Sequence, residues 1–137
     1  MKKLMFIAVL ALVANVGFGQ AATTPKSDVG EFEWTASATH DFGKIKQGVP
    51  VTHEFKFTNK GKSPLVITNA QGSCGCTTPN WTHEPVMPGG EGVVKATFNA
   101  MNVGPFDKTV TVTANVDGGV VVLHIKGEVE APVVKPN

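Results

Sequence analysis

Residues Val51–Asn59 read VTHEFKFTN and alternate between two faces along their whole length. His53, Phe55 and Phe57 share one face, whereas charged and hydroxyl side chains occupy the other. Successive side chains of a β-strand point to opposite sides, so this period of two predicts a half-buried strand. We expect the aromatic face of this strand to lie against a hydrophobic core.

Short segments with a related pattern lie on both sides of this strand, divided by Gly, Pro, Asn and Asp, which are typical of turns. Asp117 and Gly118 suit the positive φ angles of a tight hairpin turn. Residues 71–92 contain three prolines and several glycines, so we expect a loop-rich connection without a long strand or helix. The further predicted strands are 31–37, 41–45, 65–70, 93–99, 106–115 and 120–129.

No window of the sequence shows a sustained helical apolar stripe. About seven to eight short strands in roughly a hundred residues predict an all-β fold, an immunoglobulin-like β-sandwich. The chain has two cysteines with one residue between them, so they cannot join two sheets across the core as in antibody domains. The predicted organisation is a signal peptide (1–19), a flexible lead-in (20–30), an immunoglobulin-like domain (31–130) and a tail (131–137).

The N-terminal segment has the pattern of an export signal. Residues 2–16 begin with two lysines and continue as an apolar run interrupted by Asn15, too short to span a bilayer. Gly17 and Gly19 provide the small residues of a cleavage site before Gln20, and cleavage after Ala21 is the alternative position. We therefore predict an exported protein, periplasmic or extracellular, without stable membrane insertion after cleavage; an uncleaved anchor is the alternative.

The charge of the chain excludes two classes of partner. Its formal net charge is +1, and loss of the two leader lysines changes it to −1. All twelve basic residues are lysines, so the planar guanidinium that reads phosphates and guanines is absent from the sequence. We expect no nucleic-acid binding and no polybasic attachment to a membrane surface.

The cysteine pair is the strongest candidate for chemistry, within Ser73-Cys74-Gly75-Cys76-Thr77. Export and an even count favour a disulfide between Cys74 and Cys76. In a flat strand, residues i and i+2 are roughly 6.6 Å apart, so the backbone must turn, and Gly75 is expected to allow it. So small a ring constrains little unfolded-state entropy, which favours loop shaping or redox activity over stabilisation.

A soft-metal site is the other interpretation of these thiols. Two thiolates suit Cu(I) or zinc, and His83 is the histidine nearest to Cys74 and Cys76 in the sequence. Structural zinc requires four protein ligands, which this spacing does not supply. We therefore predict no cofactor and no metal, with copper or zinc at Cys74, Cys76 and His83 as the alternative.

Other candidate residues have less specific patterns. His40 precedes Asp41, but adjacent residues of an extended chain point to opposite faces, so a catalytic dyad is not expected. Trp81 lies in the proline-rich stretch after the cysteines, where it either caps the sandwich or forms a binding anchor. No catalytic motif is present in the sequence, so we predict no enzyme activity.

Several motifs together resemble a known family. Residues 41–48, 57–61 and 64–67 (DFGKIKQG, FTNKG and PLVI) resemble the opening of immunoglobulin-like domains related to hydin and the major sperm protein. With residues 73–77 and 88–90 (SCGCT and PGG), the chain is similar to an exported bacterial family, domain of unknown function 1573, common in Bacteroidota. The similarity extends over about residues 35–129, and it implies a sandwich fold and export.

Two functions are open at this point. The first is a non-catalytic envelope module, structural or binding, which engages a protein or a surface polymer through its loops or a sheet edge. Its candidate binding-loop residues are Ser73, Gly75, Thr77 and Trp81. The second is a thiol-redox or soft-metal-handling protein that uses Cys74 and Cys76. The absence of evident partners for the cysteines favours the first.

Overall fold

The computed structural model describes Gly19, residues 28–134 and Pro136. The predicted signal peptide, apart from Gly19, and most of the lead-in lie outside the described residues, so cleavage stays a prediction. Eight strands make up the described part of the chain: β1 (Phe32–Trp34), β2 (Thr39–Lys46), β3 (Val51–Asn59), β4 (Ile67–Gly72), β5 (Thr77–Trp81), β6 (Glu91–Phe98), β7 (Gly104–Ala114) and β8 (Val120–Glu130).

The strands form two four-stranded sheets. Sheet I has the order β1-β3-β6-β5 and is antiparallel throughout; sheet II has the order β2-β8-β7-β4, with β2 parallel to β8. The chain leaves sheet I after β1 and enters sheet II as β2. This arrangement is an immunoglobulin-like sandwich, and it confirms the predicted all-β fold.

The core lies between the inward faces of the two sheets. Phe55 and Phe57 of β3 are almost fully buried, which confirms the face predicted from the alternation at residues 51–59. The alternating valines of β7 meet them from the other sheet, since Val110 and Val112 are buried and the intervening threonines are not. Burial of apolar surface between the sheets stabilises the fold at about 25 cal/mol per Å².

The strand β5 departs from the sequence prediction, because it lies in the stretch expected to be loop-rich. The amides of Asn99 and Thr82 donate to the carbonyls of Cys76 and Val93 at 2.9 and 3.0 Å. The backbone N–H and C=O groups of the even-numbered residues of β5 therefore face β6. The nitrogen of Pro79 faces the open edge of the sheet. A proline is tolerated at such a position, which explains the strand and corrects the placement of Trp81 in a loop.

Asn59, at the end of β3, is fully buried, and its side chain connects three segments. Its Oδ1 accepts from the amides of Glu31 and Gly61 at 3.1 and 2.9 Å. Its Nδ2 donates to the carbonyls of Ser63 and Val86 at 2.9 and 2.8 Å. All four hydrogen-bonding positions of the amide are therefore satisfied. We call this arrangement the Asn59 cluster.

Candidate functional site

The Cys loop, residues 72–77, joins β4 of sheet II to β5 of sheet I. The amide of Thr77 donates to the Cys74 carbonyl at 3.2 Å, which closes a tight turn. The turn brings the Cα atoms of Cys74 and Cys76 to 5.2 Å, and the two sulfur atoms lie at bonding distance, as in a disulfide. The turn that the sequence required between the two cysteines is therefore present.

The two glycines of the Cys loop have different roles. A Cβ atom at Gly75 would contact nothing within 4 Å, and the φ angle of Gly75 is not left-handed. The prediction that Gly75 permits the turn is therefore wrong. A Cβ atom at Gly72 would overlap the carbonyl oxygen of Thr77. The close approach of β4 to β5 thus requires glycine at position 72.

Hydrogen bonds outside the sulfur pair hold the loop at both ends. Ser73 continues the pairing of β4 with β7, because its amide donates to the Thr109 carbonyl at 2.9 Å and its Oγ accepts from the Thr109 amide at 3.1 Å. At the other end, the Cys76 carbonyl accepts from the amide of Asn99 at 2.9 Å. The backbone path of the loop is therefore supported by both sheets.

The sulfur atoms have polar neighbours. The amide of Cys76 donates to Cys74 Sγ at 3.3 Å, and Thr77 Oγ1 lies 3.9 Å from the sulfur of each cysteine. Both cysteines are half-buried. A cavity of about 110 Å³ adjoins Cys76, and its walls include Phe98, Phe106 and Lys108.

The other residues predicted for a binding loop separate into two groups. Ser73 and Gly75 are exposed at the tip, whereas Thr77 is 4% exposed. Trp81 is half-buried and packs against the core. Its Nε1 is enclosed and has no hydrogen-bond acceptor within the part of the chain that the structure describes. Trp81 thus has the position of a cap on the core.

The structure does not assemble the alternative metal set. The ring of His83 lies 4.8 Å from that of Trp81. Within residues 28–134, no three His, Cys, Asp or Glu side chains come together in a way that could hold a metal ion.

A histidine pair, which sequence reasoning missed, lies where β2 approaches β3. The rings of His40 and His53 stack with centroids 3.6 Å apart and planes 7° apart. Burial and the charge of His40 lower the pKa of His53, and the charge of Glu54 opposes this shift. Asp41 accepts the amide of Gly43 at 2.8 Å, and its side chain is exposed. Only tertiary contact between strands of different sheets could identify this pair.

The edge of sheet I is open beside the histidine pair. The Thr35 amide donates to the Lys56 carbonyl at 2.9 Å, so even-numbered residues of β3 direct their backbone groups toward β1. However, β1 pairs with β3 only from Phe57 to Asn59. Alternation therefore leaves the backbone groups of Thr52 and Glu54 facing an edge where none of the described strands pairs.

A small cavity lies at the same edge. It has a volume of about 110 Å³ and lies between β3 and the segment that connects β1 to β2. Trp34, His53 and Phe55 contribute to its walls. We call the open backbone of residues 51–55 together with this cavity the β3 edge.

The comparisons with known proteins identify the family. The model of the family described as "Protein of unknown function (DUF1573)" matches residues 32–129. The chain belongs to this DUF1573 family. No functionally curated protein sequence matches it.

Solved structures that resemble this DUF1573 protein share its fold. A protein of unknown function from Porphyromonas gingivalis W83 superposes with a TM-score of 0.65 and 16% identity, over 80% of this chain and 51% of its own. The ASH/PapD-like domain 7 of human CEP192 superposes with a TM-score of 0.58 and 13% identity, over 94% of this chain and 100% of its own. The secreted serine protease VesC from Vibrio cholerae superposes with a TM-score of 0.54 and 13% identity, over 75% of this chain and 23% of its own.

These similarities confirm a sandwich of the immunoglobulin-like and PapD-like type. The chain spans about half of the Porphyromonas protein and a smaller part of the protease. The fold alone does not assign a function. In the described residues, no helix has the length and apolarity needed to cross a membrane.

Proposed function

We propose that this protein is a non-catalytic binding module of the cell envelope, which engages an extended segment of a partner protein through the β3 edge. Export to the periplasm or the cell surface is part of this proposal and rests on the leader pattern. The observation that carries the binding role is the unpaired backbone of Thr52 and Glu54. An open edge of this kind can accept an added strand.

Two features of the β3 edge favour an ordered partner strand. The cavity beside Trp34 and Phe55 is large enough for a small side chain, so it would select a residue of the added strand. Glu54 carries a salt bridge to Lys95 at 2.9 Å on the outer face, which leaves its backbone groups free. Main-chain hydrogen bonds would provide affinity, and the cavity would provide selectivity.

Binding of a surface polymer through the Cys loop and Trp81 is the less favoured form of this proposal. Polymer recognition on a loop requires exposed aromatic anchors. Trp81 is half-buried against the core instead.

The test compares two substitutions at Thr52. Thr52→Pro removes the amide that faces the open edge but leaves the pairing with β6 intact, so the variant should fold. Thr52→Val keeps the amide and is the matched control, because both variants lose the Thr52–Thr97 hydroxyl hydrogen bond of 2.8 Å. The probe is the protein captured from an envelope extract of the source cell and identified by mass spectrometry.

We expect Thr52→Pro to weaken binding of this partner at least tenfold and Thr52→Val to leave it within about twofold. Hydrogen exchange of the complex should show protection of the amides of Thr52 and Glu54. Equal affinity for both variants, with protection confined to residues 72–77, would contradict binding at the β3 edge and place the interface at the Cys loop.

A further inference from the structure

A second activity, beyond the binding role, follows from the position of the Cys loop. A Cβ atom at Gly75 would have no neighbour within 4 Å, and both flanking cysteines retain exposed surface. A disulfide at such a tip can be reached by the sulfur of another molecule, because thiol–disulfide exchange requires access. Disulfides that serve only the fold are more often enclosed.

Hydrogen bonds to neighbouring strands hold the ends of the loop in addition to the disulfide. Pairing of Ser73 with Thr109 and of Cys76 with Asn99 holds both ends. Folding and reduction form one thermodynamic cycle, so the stability that the bridge adds to the fold equals the extra free energy needed to reduce it in the folded protein. A bridge that contributes little to folding is therefore reduced almost as easily in the folded protein as in the unfolded chain.

The surroundings of the two sulfur atoms differ, and the difference gives exchange a direction. Cys74 Sγ accepts the amide of Cys76 at 3.3 Å, whereas the Thr77 hydroxyl is 3.9 Å from both sulfurs and does not distinguish them. The amide donor would stabilise Cys74 as a departing thiolate, since a stabilised thiolate leaves faster. The cavity of about 110 Å³ is lined by Cys76 and not by Cys74. A nucleophile in this cavity would therefore meet Cys76 and not Cys74.

The cavity beside Cys76 suits a thiolate carried by a polypeptide. Phe98, Pro105 and Phe106 provide apolar walls for the side chain of an incoming cysteine. Lys108 adds a cation to the wall, and none of the described residues adds a carboxylate there. A cation beside the path of an anionic sulfur increases its local concentration.

We infer that the Cys74–Cys76 disulfide oxidises dithiols in polypeptide substrates. The first substrate thiolate attacks Cys76 Sγ, a bond forms between these two sulfurs, and the Cys74–Cys76 bond breaks. Its electron pair leaves on Cys74, which takes up the proton that the substrate thiol released. The second substrate thiolate then attacks the first substrate sulfur, which forms the substrate disulfide and releases Cys76 as a thiol. Two electrons and two protons pass from the substrate to the cysteine pair.

The site of attack is tested by trapping. The oxidised full chain is mixed with a peptide that carries one cysteine, quenched with acid and alkylated, and the adduct is mapped by fragmentation in a mass spectrometer. We expect the peptide on Cys76 and the alkyl group on Cys74, by at least tenfold over the reverse. An adduct mainly on Cys74 would overturn the assignment.

The activity is tested with a peptide that carries two cysteines. We expect the protein to oxidise this peptide at least tenfold faster than the same concentration of oxidised glutathione. Lys108→Gln should lower the rate several-fold at low salt and little at high salt, because its effect is electrostatic. Lys62→Gln, at an exposed lysine in the turn between β3 and β4, is the matched control and should not change the rate. A rate less than tenfold above that of glutathione overturns the proposal, whether or not the binding role holds.

Discussion

The two ends of sheet I differ in how far their polar and sulfur atoms are buried. At one end, the Asn59 cluster encloses an amide that is fully buried and makes four hydrogen bonds. At the other end, the Cys loop holds a partly exposed sulfur pair with a cavity beside it. Strands β3 and β6 connect the two ends.

The difference indicates where stability and chemistry reside. Buried polar groups are costly to leave without partners, so a satisfied buried amide fixes the positions of the segments it contacts. An exposed disulfide across three residues limits the unfolded chain very little. We therefore expect the fold to depend on Asn59 and the reactivity to depend on Cys74 and Cys76.

Substitution of Asn59 should have the largest effect. Asn59→Ala removes the four hydrogen bonds of a fully buried amide, although the Val86 carbonyl keeps its bond from the Leu65 amide at 2.8 Å, and should lower the free energy of unfolding by about 3 kcal/mol. Asn115→Ala is the matched control, because Asn115 also bridges two backbone groups, at 2.7 and 2.8 Å, but is exposed. Water can replace those bonds, so we expect a loss of about 1 kcal/mol. Urea unfolding measures both, and similar losses would contradict the role of burial.

The two glycines of the Cys loop provide the next comparison. Gly72→Ala places a methyl group against the Thr77 carbonyl and should lower the free energy of unfolding by about 2 kcal/mol. Gly75→Ala enters open space and should change it by less than about 0.5 kcal/mol. If urea unfolding instead finds Gly75→Ala to be the more damaging, the turn depends on the residue between the cysteines.

His53 should make stability depend on pH. Because the pKa of His53 is lowered in the folded protein, the unfolded chain binds the proton first as the pH falls. This contribution is fully present above the ordinary histidine pKa of 6.5 and is lost as the pH falls toward the lowered value. Between pH 7.5 and 5, the melting temperature of His53→Gln should fall less than that of the wild type, by a few degrees. Parallel curves for the two proteins would show that His53 carries no such dependence.

Much of the fold was predictable because it follows from local pattern. The alternation at residues 51–59 and 106–115 identified buried faces that the structure confirms. The strand β5 was missed because Pro79 signals a break, and only its place at a sheet edge makes proline acceptable. Local sequence does not reveal which side of a strand has a neighbour.

The candidate site was predictable only in part. The spacing of Cys74 and Cys76 identified the disulfide pair, since a turn between them is a local requirement. Lys108 of β7 lines the Cys76 cavity because the order of the strands brings β7 near the Cys loop. Likewise, His40 of one sheet contacts His53 of the other. Contacts of this kind depend on tertiary structure, which single-residue patterns do not encode.

The most direct test of the contrast between the two ends is urea unfolding of the wild-type protein with and without a dithiol reductant. Thiol titration of the folded protein must first show that two thiols are free. We predict that reduction lowers the free energy of unfolding by at most about 1.5 kcal/mol, the entropic limit for so short a loop. A loss of about 3 kcal/mol or more, equal to that expected for Asn59→Ala, would contradict the account and make the sulfur pair a structural bridge.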